Sequence, residues 1–65
     1  MIIVDGKELD WIRGEAIVTA IKRAKSYHPF MIISLNGKMI RKEKWGEKEV
    51  SNGDEINTLL MIAGG

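Results

Sequence analysis

The last residues of the chain, Ala63-Gly64-Gly65, have the clearest chemical potential. A C-terminal carboxylate has a pKa of about 3.3–3.7, so at neutral pH it is an anion and a poor electrophile. It can accept a nucleophile only after conversion to an activated acyl group. Glycines lack a Cβ atom, so Gly64 and Gly65 could pass through a narrow channel into another protein's active site, and Ala63 keeps the approach slim. Taken alone, however, the two glycines fit equally well with a frayed end that has no function.

Other residue types in the chain offer little chemistry. There is no cysteine and the single histidine is His28, so neither thiolate chemistry nor a metal site is expected. The acidic residues of the second half show no pattern that predicts two buried together, as an acid–base pair requires: Glu43, Glu47, Glu49, Asp54 and Glu55. We therefore expect that the chain is not an enzyme, holds no metal and binds no cofactor itself.

The charge balance argues against a nucleic-acid partner. Ten Lys and Arg residues oppose nine Asp and Glu residues, for a formal net charge of +1, and nucleic-acid binders usually show a larger or more concentrated excess. A locally basic segment surrounds Trp45, with cations at Lys38, Arg41, Lys42, Lys44 and Lys48. Glutamates are interleaved with these cations, so we predict a solvated surface, with docking of an acidic partner as the alternative. Trp11 and Trp45 are predicted to be core or semi-buried anchors rather than platforms for stacking bases.

No membrane association is expected from the sequence. The chain has no apolar run of about 18 residues that could span a bilayer, and its N-terminus lacks the basic and apolar regions of a signal peptide. We therefore expect a cytoplasmic protein, monomeric when free, whose 65 residues form one small domain over residues 1–65.

The first half of the chain predicts a hairpin followed by a helix. Residues 1–4 and 7–12 read as strands joined by an Asp5-Gly6 turn. A helical stripe then follows from Glu15, with apolar residues spaced i, i+3, i+4 and i+7: Ile17, Ala20, Ile21 and Ala24. Pro29 disfavours helix at the preceding residue, so we expect the helix to stop near Ser26 or Tyr27.

The second half predicts three strands. The apolar run 30–35 suits a strand buried on both faces, and Asn36-Gly37 is a hairpin turn signal before a short strand at 38–40. Residues 41–49 are expected to form a loop with one helical turn anchored by Trp45. The turn at 52–54 then leads into a final strand at 55–62, and 63–65 are expected to be a flexible tail.

The predicted element order is β-β-α-β-β-β, which indicates an α+β fold. The helix would serve as a crossover, so the strand after it could lie parallel to the first strand, with the helix on one face of a mixed sheet of about five strands. This arrangement is the ubiquitin-like β-grasp.

Apolar residues near the end of the final strand are candidates for partner docking. Asn57 indicates that one face of that strand is exposed to solvent. Leu59 and Met61 lie on the same face by alternation, so they predict an exposed apolar patch beside the tail. Ile62 is included among these docking candidates. The alternative is that they are isolated exposed apolar residues of no functional meaning.

The second half of the chain also resembles the ThiS family, the sulfur carriers of thiamin biosynthesis. The resemblance rests on Asn36-Gly37-Lys38-Met39-Ile40 through Lys42-Glu43-Lys44-Trp45, on Val50-Ser51-Asn52-Gly53-Asp54-Glu55-Ile56, and on Ile62-Ala63-Gly64-Gly65. The family often has Pro where this chain has Arg41, and Thr where it has Ala16. Related molybdopterin-synthase small subunits usually carry a Pro-rich segment before the two glycines, whereas residues 59–62 here contain no Pro.

The resemblance implies a specific chemistry at Gly65. A ubiquitin-activating-like adenylyltransferase would use Mg-ATP to adenylate its carboxylate. A sulfur donor such as a cysteine desulfurase would displace AMP, and the resulting thiocarboxylate would deliver sulfur to thiazole synthase.

Other functions remain open at the level of sequence. The same fold carries sulfur for molybdopterin or tungstopterin synthesis and for tRNA thiolation, and it also includes protein modifiers conjugated through the terminal glycine. A further alternative is an interaction domain with an inert tail.

Overall fold

A computed structural model describes residues 1–60. Its elements, in chain order, are β1 (Ile2–Val4), β2 (Lys7–Leu9), α1 (Ile17–Arg23), β3 (Met31–Leu35), β4 (Lys38–Ile40), a 3₁₀ turn (Lys42–Lys44) and β5 (Glu55–Leu60). The predicted order of strands and helix is therefore confirmed, as is the helical turn in the loop before β5. The predicted tail and the last part of the predicted final strand, residues 61–65, lie outside the described residues.

The strands form one mixed sheet in the order β2-β1-β5-β3-β4. Strand β1 pairs antiparallel with β2 and parallel with β5, while β3 pairs antiparallel with both β5 and β4. The expectation that β3 would lie parallel to β1 is wrong. Strand β5 is inserted between the two hairpins, so β3 runs opposite to β1. With one helix packed against it, this five-stranded sheet has the ubiquitin-like β-grasp fold.

The core lies between the helix and one face of the sheet. All four residues of the predicted helical stripe are buried there, against apolar residues from β1, β3 and β5 and from the loop before β5. The buried apolar set is Ile2, Val4, Ile17, Ala20, Ile21, Ala24, Met31, Ile33, Leu35, Trp45, Val50 and Ile56. Burial of these side chains supplies the main favourable free energy of folding. Each of the larger aliphatic side chains contributes roughly 1.5–3 kcal/mol when fully buried.

Strand β3 alternates between the core and the opposite face. Met31, Ile33 and Leu35 are buried, whereas Ile32 and Ser34 are half-buried. The expectation that this apolar run is buried on both faces is therefore wrong, because the only helix in residues 1–60 covers one face of the sheet.

Helix α1 ends at Arg23, earlier than the sequence predicts. The Ser26 N–H donates to the Ile21 carbonyl at 3.1 Å and the Lys25 N–H donates to the Lys22 carbonyl at 3.0 Å. Lys25 has φ of +58°, so the helix ends in a Schellman motif with a left-handed residue after its cap. Glycine is the usual residue at that position, and the presence of Lys25 hides the signal in the sequence.

Strand β2 is also shorter than predicted, because its partner β1 begins at Ile2. Ile2 pairs with Leu9, and Met1 is engaged elsewhere: its carbonyl accepts from the Gly53 N–H at 2.9 Å and its ammonium group donates to Asn52. Residues after Leu9 therefore have no strand to pair with.

Both tryptophans anchor loops to the core, as predicted. Trp45 is 6% exposed, and its indole N–H donates to the Ile40 carbonyl at 3.1 Å. Trp11 is half-buried and donates to the Val50 carbonyl at 2.8 Å. Satisfying the indole N–H lets the apolar rings pack without leaving a buried donor unpaired.

Candidate functional site

The candidate functional residues all lie on β5 or follow it, and β5 is a central strand. On one edge Ile3 and Val4 pair with Glu55 and Ile56. On the other edge, every residue of β3 pairs with a residue of β5, from Leu35 opposite Ile56 to Met31 opposite Leu60. The last five residues of the chain therefore continue from a strand that is held by two neighbours.

The entry to β5 is fixed by side-chain hydrogen bonds between two turns. The Asn36 Oδ1 accepts from the Glu55 N–H at 2.8 Å, and its Nδ2 donates to the Asp54 Oδ1 at 2.9 Å. The second oxygen of Asp54 accepts from the Ser51 N–H at 2.7 Å, and Gly53 has φ of +94°. The interpretation of Gly53-Asp54 as turn chemistry is thus confirmed: the glycine supplies positive φ and the aspartate binds nearby backbone.

Further along β5, the carboxylate of Asp5 binds Thr58 through both of its oxygens. The Thr58 N–H donates to Oδ1 at 2.7 Å and the Thr58 hydroxyl donates to Oδ2 at 2.6 Å. The Asp5 N–H in turn donates to the Ile56 carbonyl at 2.9 Å. Sequence reasoning assigned Asp5 only to the first hairpin turn. Its contact with Thr58 was missed, because the two residues meet only when β5 pairs with β1, which no local pattern reveals.

The exposed apolar residues at the end of β5 match part of the predicted docking patch. Leu59 is 66% exposed and Leu60 is 53% exposed, while Ile32, the cross-strand partner of Leu59, is half-buried. The docking role of Leu59 stays a prediction. Met61 and Ile62, the other two docking candidates, lie outside the described residues, as do Ala63, Gly64 and Gly65.

The basic segment around Trp45 borders a groove at the β3–β4 edge. This groove has a volume of about 330 Å³, is lined chiefly by apolar residues that include Phe30 and Met39, and is bordered by Arg41 and Lys42. Phe30 and Met39 are themselves 63% and 72% exposed. Two of the predicted solvated cations thus lie beside exposed apolar surface.

The remaining titratable residues are placed as surface groups. His28 is exposed and its Nδ1 accepts from the Phe30 N–H at 3.1 Å. Among residues 1–60, no group of three or more His, Cys, Asp or Glu residues could hold a metal ion. The carboxylates considered as an acid–base pair are exposed, apart from Asp54, which is half-buried in the turn.

An ion pair between Arg23 and Glu15 ties helix α1 to the loop before it. Arg23 donates to both carboxylate oxygens of Glu15, at 2.7 and 2.8 Å, and to the Asp10 carbonyl at 2.8 Å. The hydrogen bond to Glu15 raises the pKa of Arg23; burial opposes this rise, and the charges of Glu15 and Asp10 add to it. The guanidinium is therefore held firmly in its charged form and acts as a structural link.

Residues 1–60 contain no helix that is both long enough and apolar enough to cross a bilayer.

Comparison with known proteins relates the chain to sulfur-carrier proteins. A curated relative from Archaeoglobus fulgidus, named "Putative sulfur carrier protein", is 35% identical over 57 residues, which are 88% of this chain. The chain spans 65% of the length of that relative.

Similarity also extends to solved structures. The crystal structure of the thiamine biosynthesis protein (ThiS) from Geobacter metallireducens matches with a TM-score of 0.78 and 21% sequence identity, over 98% of this chain and 97% of that one. At this identity the likeness establishes the fold. The family model described as "ThiS family" matches residues 4–65. This chain belongs to the ThiS family.

Proposed function

We propose that this chain is a sulfur carrier whose Gly65 carboxylate is converted to a thiocarboxylate. The observation that carries the proposal is the match to the ThiS family model, which runs through Gly64 and Gly65. The name of the Archaeoglobus relative supports it. The position of β5 gives it a structural basis, since a central strand presents the last five residues from a fixed point on the fold.

The proposed chemistry needs only the carboxylate from this chain. A Gly65 oxygen attacks the α-phosphorus of Mg-ATP, which is held by the activating adenylyltransferase, and pyrophosphate leaves. A sulfur nucleophile then bonds to the acyl carbon while the C–O bond to AMP breaks, and AMP departs with the electron pair. When the donor is a persulfide, such as that of a cysteine desulfurase, its outer sulfur bonds to the acyl carbon. A thiolate then attacks the sulfur of the donor cysteine, a disulfide forms between the two, and the former S–S electron pair leaves on the Gly65 thiocarboxylate. Covalent activation of this kind divides one difficult substitution into two easier ones.

We further propose that the acceptor is a thiazole synthase in thiamin biosynthesis. The name of the Geobacter structure, a thiamine biosynthesis protein, supports this choice, as does the absence of Pro from residues 59–62. Molybdopterin or tungstopterin synthesis and tRNA thiolation are the competing destinations for the sulfur.

Partner choice in this proposal resides on the folded surface behind the tail. Leu59 is the proposed docking residue whose exposure on β5 supports this role. Met61 and Ile62 are proposed to extend the same contact. Contacts of this kind must offset the translational, rotational and side-chain entropy lost when two proteins associate.

The function is tested by ATP–pyrophosphate exchange with the activating enzyme of the same organism. Exchange should depend on this chain and should be lost when Gly65 is deleted or when one Ser is appended after Gly65. Both variants leave residues 1–60 unchanged. Exchange that persists with either variant would contradict activation at the Gly65 carboxylate.

The acceptor is tested by affinity capture with the activated chain and identification of the bound proteins. Recovery of a thiazole synthase supports the thiamin pathway, and recovery of a molybdopterin-synthase large subunit would overturn it. Conjugates to lysines of other proteins would indicate a protein modifier instead.

A further inference from the structure

The contact between Asp5 and Thr58 extends the pairing of β5 beyond the end of β1. Strand β1 stops at Val4, and its last pair with β5 is Val4 with Ile56. The chain then turns away at Asp5 and Gly6, which have φ values of +50° and +83°. The Thr58 N–H faces the edge that β1 has left, and the Asp5 carboxylate takes the place of a strand carbonyl by accepting from it at 2.7 Å.

Hydrogen bonds hold both residues of this contact in place. The Asp5 main chain is held by its N–H, which donates to the Ile56 carbonyl at 2.9 Å, and its side chain accepts from the Thr58 N–H and hydroxyl. Hydrogen bonds to an ionised acceptor are stronger than neutral ones. The two-oxygen grip on Thr58 therefore restrains both the backbone and the rotamer of that residue.

The needs of the turn alone do not account for this arrangement. Asp-Gly suits a type I′ hairpin turn, but Gly-Gly suits it as well, because glycine adopts positive φ without strain. Aspartate at φ of +50° differs from glycine chiefly by its carboxylate, and both oxygens of this carboxylate accept hydrogen bonds from Thr58. Thr58 is two positions before Leu60, where the pairing with β3 ends.

We propose that Asp5 is a positioning residue for the acyl chemistry at Gly65. By holding Thr58, it fixes the position and direction of the end of β5, to which the last five residues of the chain are joined. Five residues reach at most about 17 Å beyond Leu60, so a change in the direction of β5 at its end alters where the carboxylate can arrive. This inference rests on the sulfur-carrier function proposed above.

The expected consequence is kinetic. If the end of β5 is already ordered in the free carrier, the activating enzyme does not have to order it on binding, and such pre-organisation improves affinity. Loss of the contact should then raise the KM for the carrier in ATP–pyrophosphate exchange while kcat stays near that of the parent chain. Losing hydrogen bonds at an exposed site corresponds to about a three- to tenfold change.

Three variants separate positioning from folding. Asp5→Gly removes the carboxylate but suits the positive φ of the turn, so it should still fold, with its stability lowered only by the loss of the two hydrogen bonds to Thr58. Asp5→Asn keeps an oxygen for the Thr58 N–H, and its amide can donate to the Thr58 hydroxyl, so it should restore a KM close to that of the parent. Thr58→Val removes the hydroxyl but leaves the backbone bond, and its KM should fall between those of the other two.

The experiment measures exchange kinetics for the four chains well below each melting temperature, together with amide hydrogen exchange of the free chains. We expect a higher KM for Asp5→Gly and an increase in exchange at the Thr58 amide that exceeds any increase at the amide of the buried Ile33. An unchanged KM for Asp5→Gly, with the parent chain active, overturns the positioning role alone. An equal rise in KM for Asp5→Asn also overturns it. If the parent chain itself is not activated, the sulfur-carrier function fails as well.

Discussion

The side chain of Asn36 binds that of Asp54, and this contact joins the turn between β3 and β4 to the turn before β5. The Asn36 Nδ2 donates to the Asp54 Oδ1 at 2.9 Å, across 18 residues of sequence. The same amide accepts from the Glu55 N–H with its oxygen, at 2.8 Å. Two turn residues with ordinary local roles thus determine together where β5 enters the sheet.

Replacing Asn36 should destabilise the fold in two separable ways. Asn36→Gly keeps the positive φ of +50° and loses the amide contacts, so we expect a loss of about 1 kcal/mol in the free energy of unfolding. Asn36→Ala loses the same contacts and places a Cβ atom in the left-handed region, which costs roughly 1–2 kcal/mol more. Chemical denaturation of the three chains measures both differences. Equal stabilities for the two variants would show that the backbone conformation at position 36 carries no strain.

The end of helix α1 offers a stabilising substitution. Lys25 has φ of +58° in the Schellman motif, so Lys25→Gly should raise the free energy of unfolding by about 0.5–1 kcal/mol. Thr19→Gly is the matched control, because Thr19 is exposed inside the same helix. That change should lower stability by roughly 0.3–0.5 kcal/mol, because threonine is itself a weak helix former and differs little from glycine in helix propensity. A loss of stability for both glycine variants would contradict the assigned helix end.

The link from Arg23 to Glu15 and Asp10 should be specific for arginine. Lysine cannot donate to both carboxylate oxygens and a carbonyl in the same fork geometry, so Arg23→Lys should lower stability by about 0.5–1 kcal/mol. A double-mutant cycle with Glu15→Gln should recover most of that energy as coupling. Additive effects of the two substitutions would argue that the ion pair contributes nothing.

The pH dependence of this link follows from the sign of the pKa shift. The hydrogen bond to Glu15 raises the pKa of Arg23, so its stabilising contribution is fully present below the unfolded-state pKa. That contribution is lost only in strongly alkaline solution, as pH rises through the folded-state pKa. The stability difference between the parent and Arg23→Lys should therefore be constant from about pH 6 to 9. A steep slope in that interval would show that another titrating group controls the link.

Leu59 can be tested as a docking residue without unfolding the protein. Its side chain is 66% exposed, so Leu59→Asp should change the free energy of unfolding by less than about 1 kcal/mol. The KM for the carrier in ATP–pyrophosphate exchange should rise at least about tenfold if the contact lies in the centre of the interface. Asn57→Asp adds the same charge two positions earlier on the same strand face, where the side chain is also exposed. A similar effect of both substitutions would indicate charge repulsion rather than loss of an apolar contact.

Sequence reasoning recovered the parts of the fold that local patterns encode. The apolar spacing of the helix, the turn pairs at Asp5-Gly6 and Asn36-Gly37, and the anchoring role of Trp45 all follow from neighbouring residues. The structure confirms each of these features. They could be predicted because the residues that cause each one lie within a few positions of one another in the chain.

The failures concern contacts between distant segments. The place of β5 between β1 and β3 depends on which strand edges remain free, so local patterns do not identify β5 as the parallel partner of β1. The early end of helix α1 is the local exception, because Lys25, which follows the helix cap, is of a residue type that is uncommon in the left-handed region. The bond from Asp5 to Thr58 spans 53 residues and carries no local signature at all.

The central claim is that sulfur is carried at Gly65, and the intact mass of the chain tests it most directly. The chain is incubated with its activating enzyme, Mg-ATP and a sulfur donor, and its mass is compared with that of a sample lacking ATP. We predict a gain equal to the replacement of one oxygen by sulfur, located at Gly65 by fragmentation and absent from the Gly65-deleted chain. An unchanged mass in a reaction that consumes ATP on this chain, or sulfur located at any other residue, would contradict it.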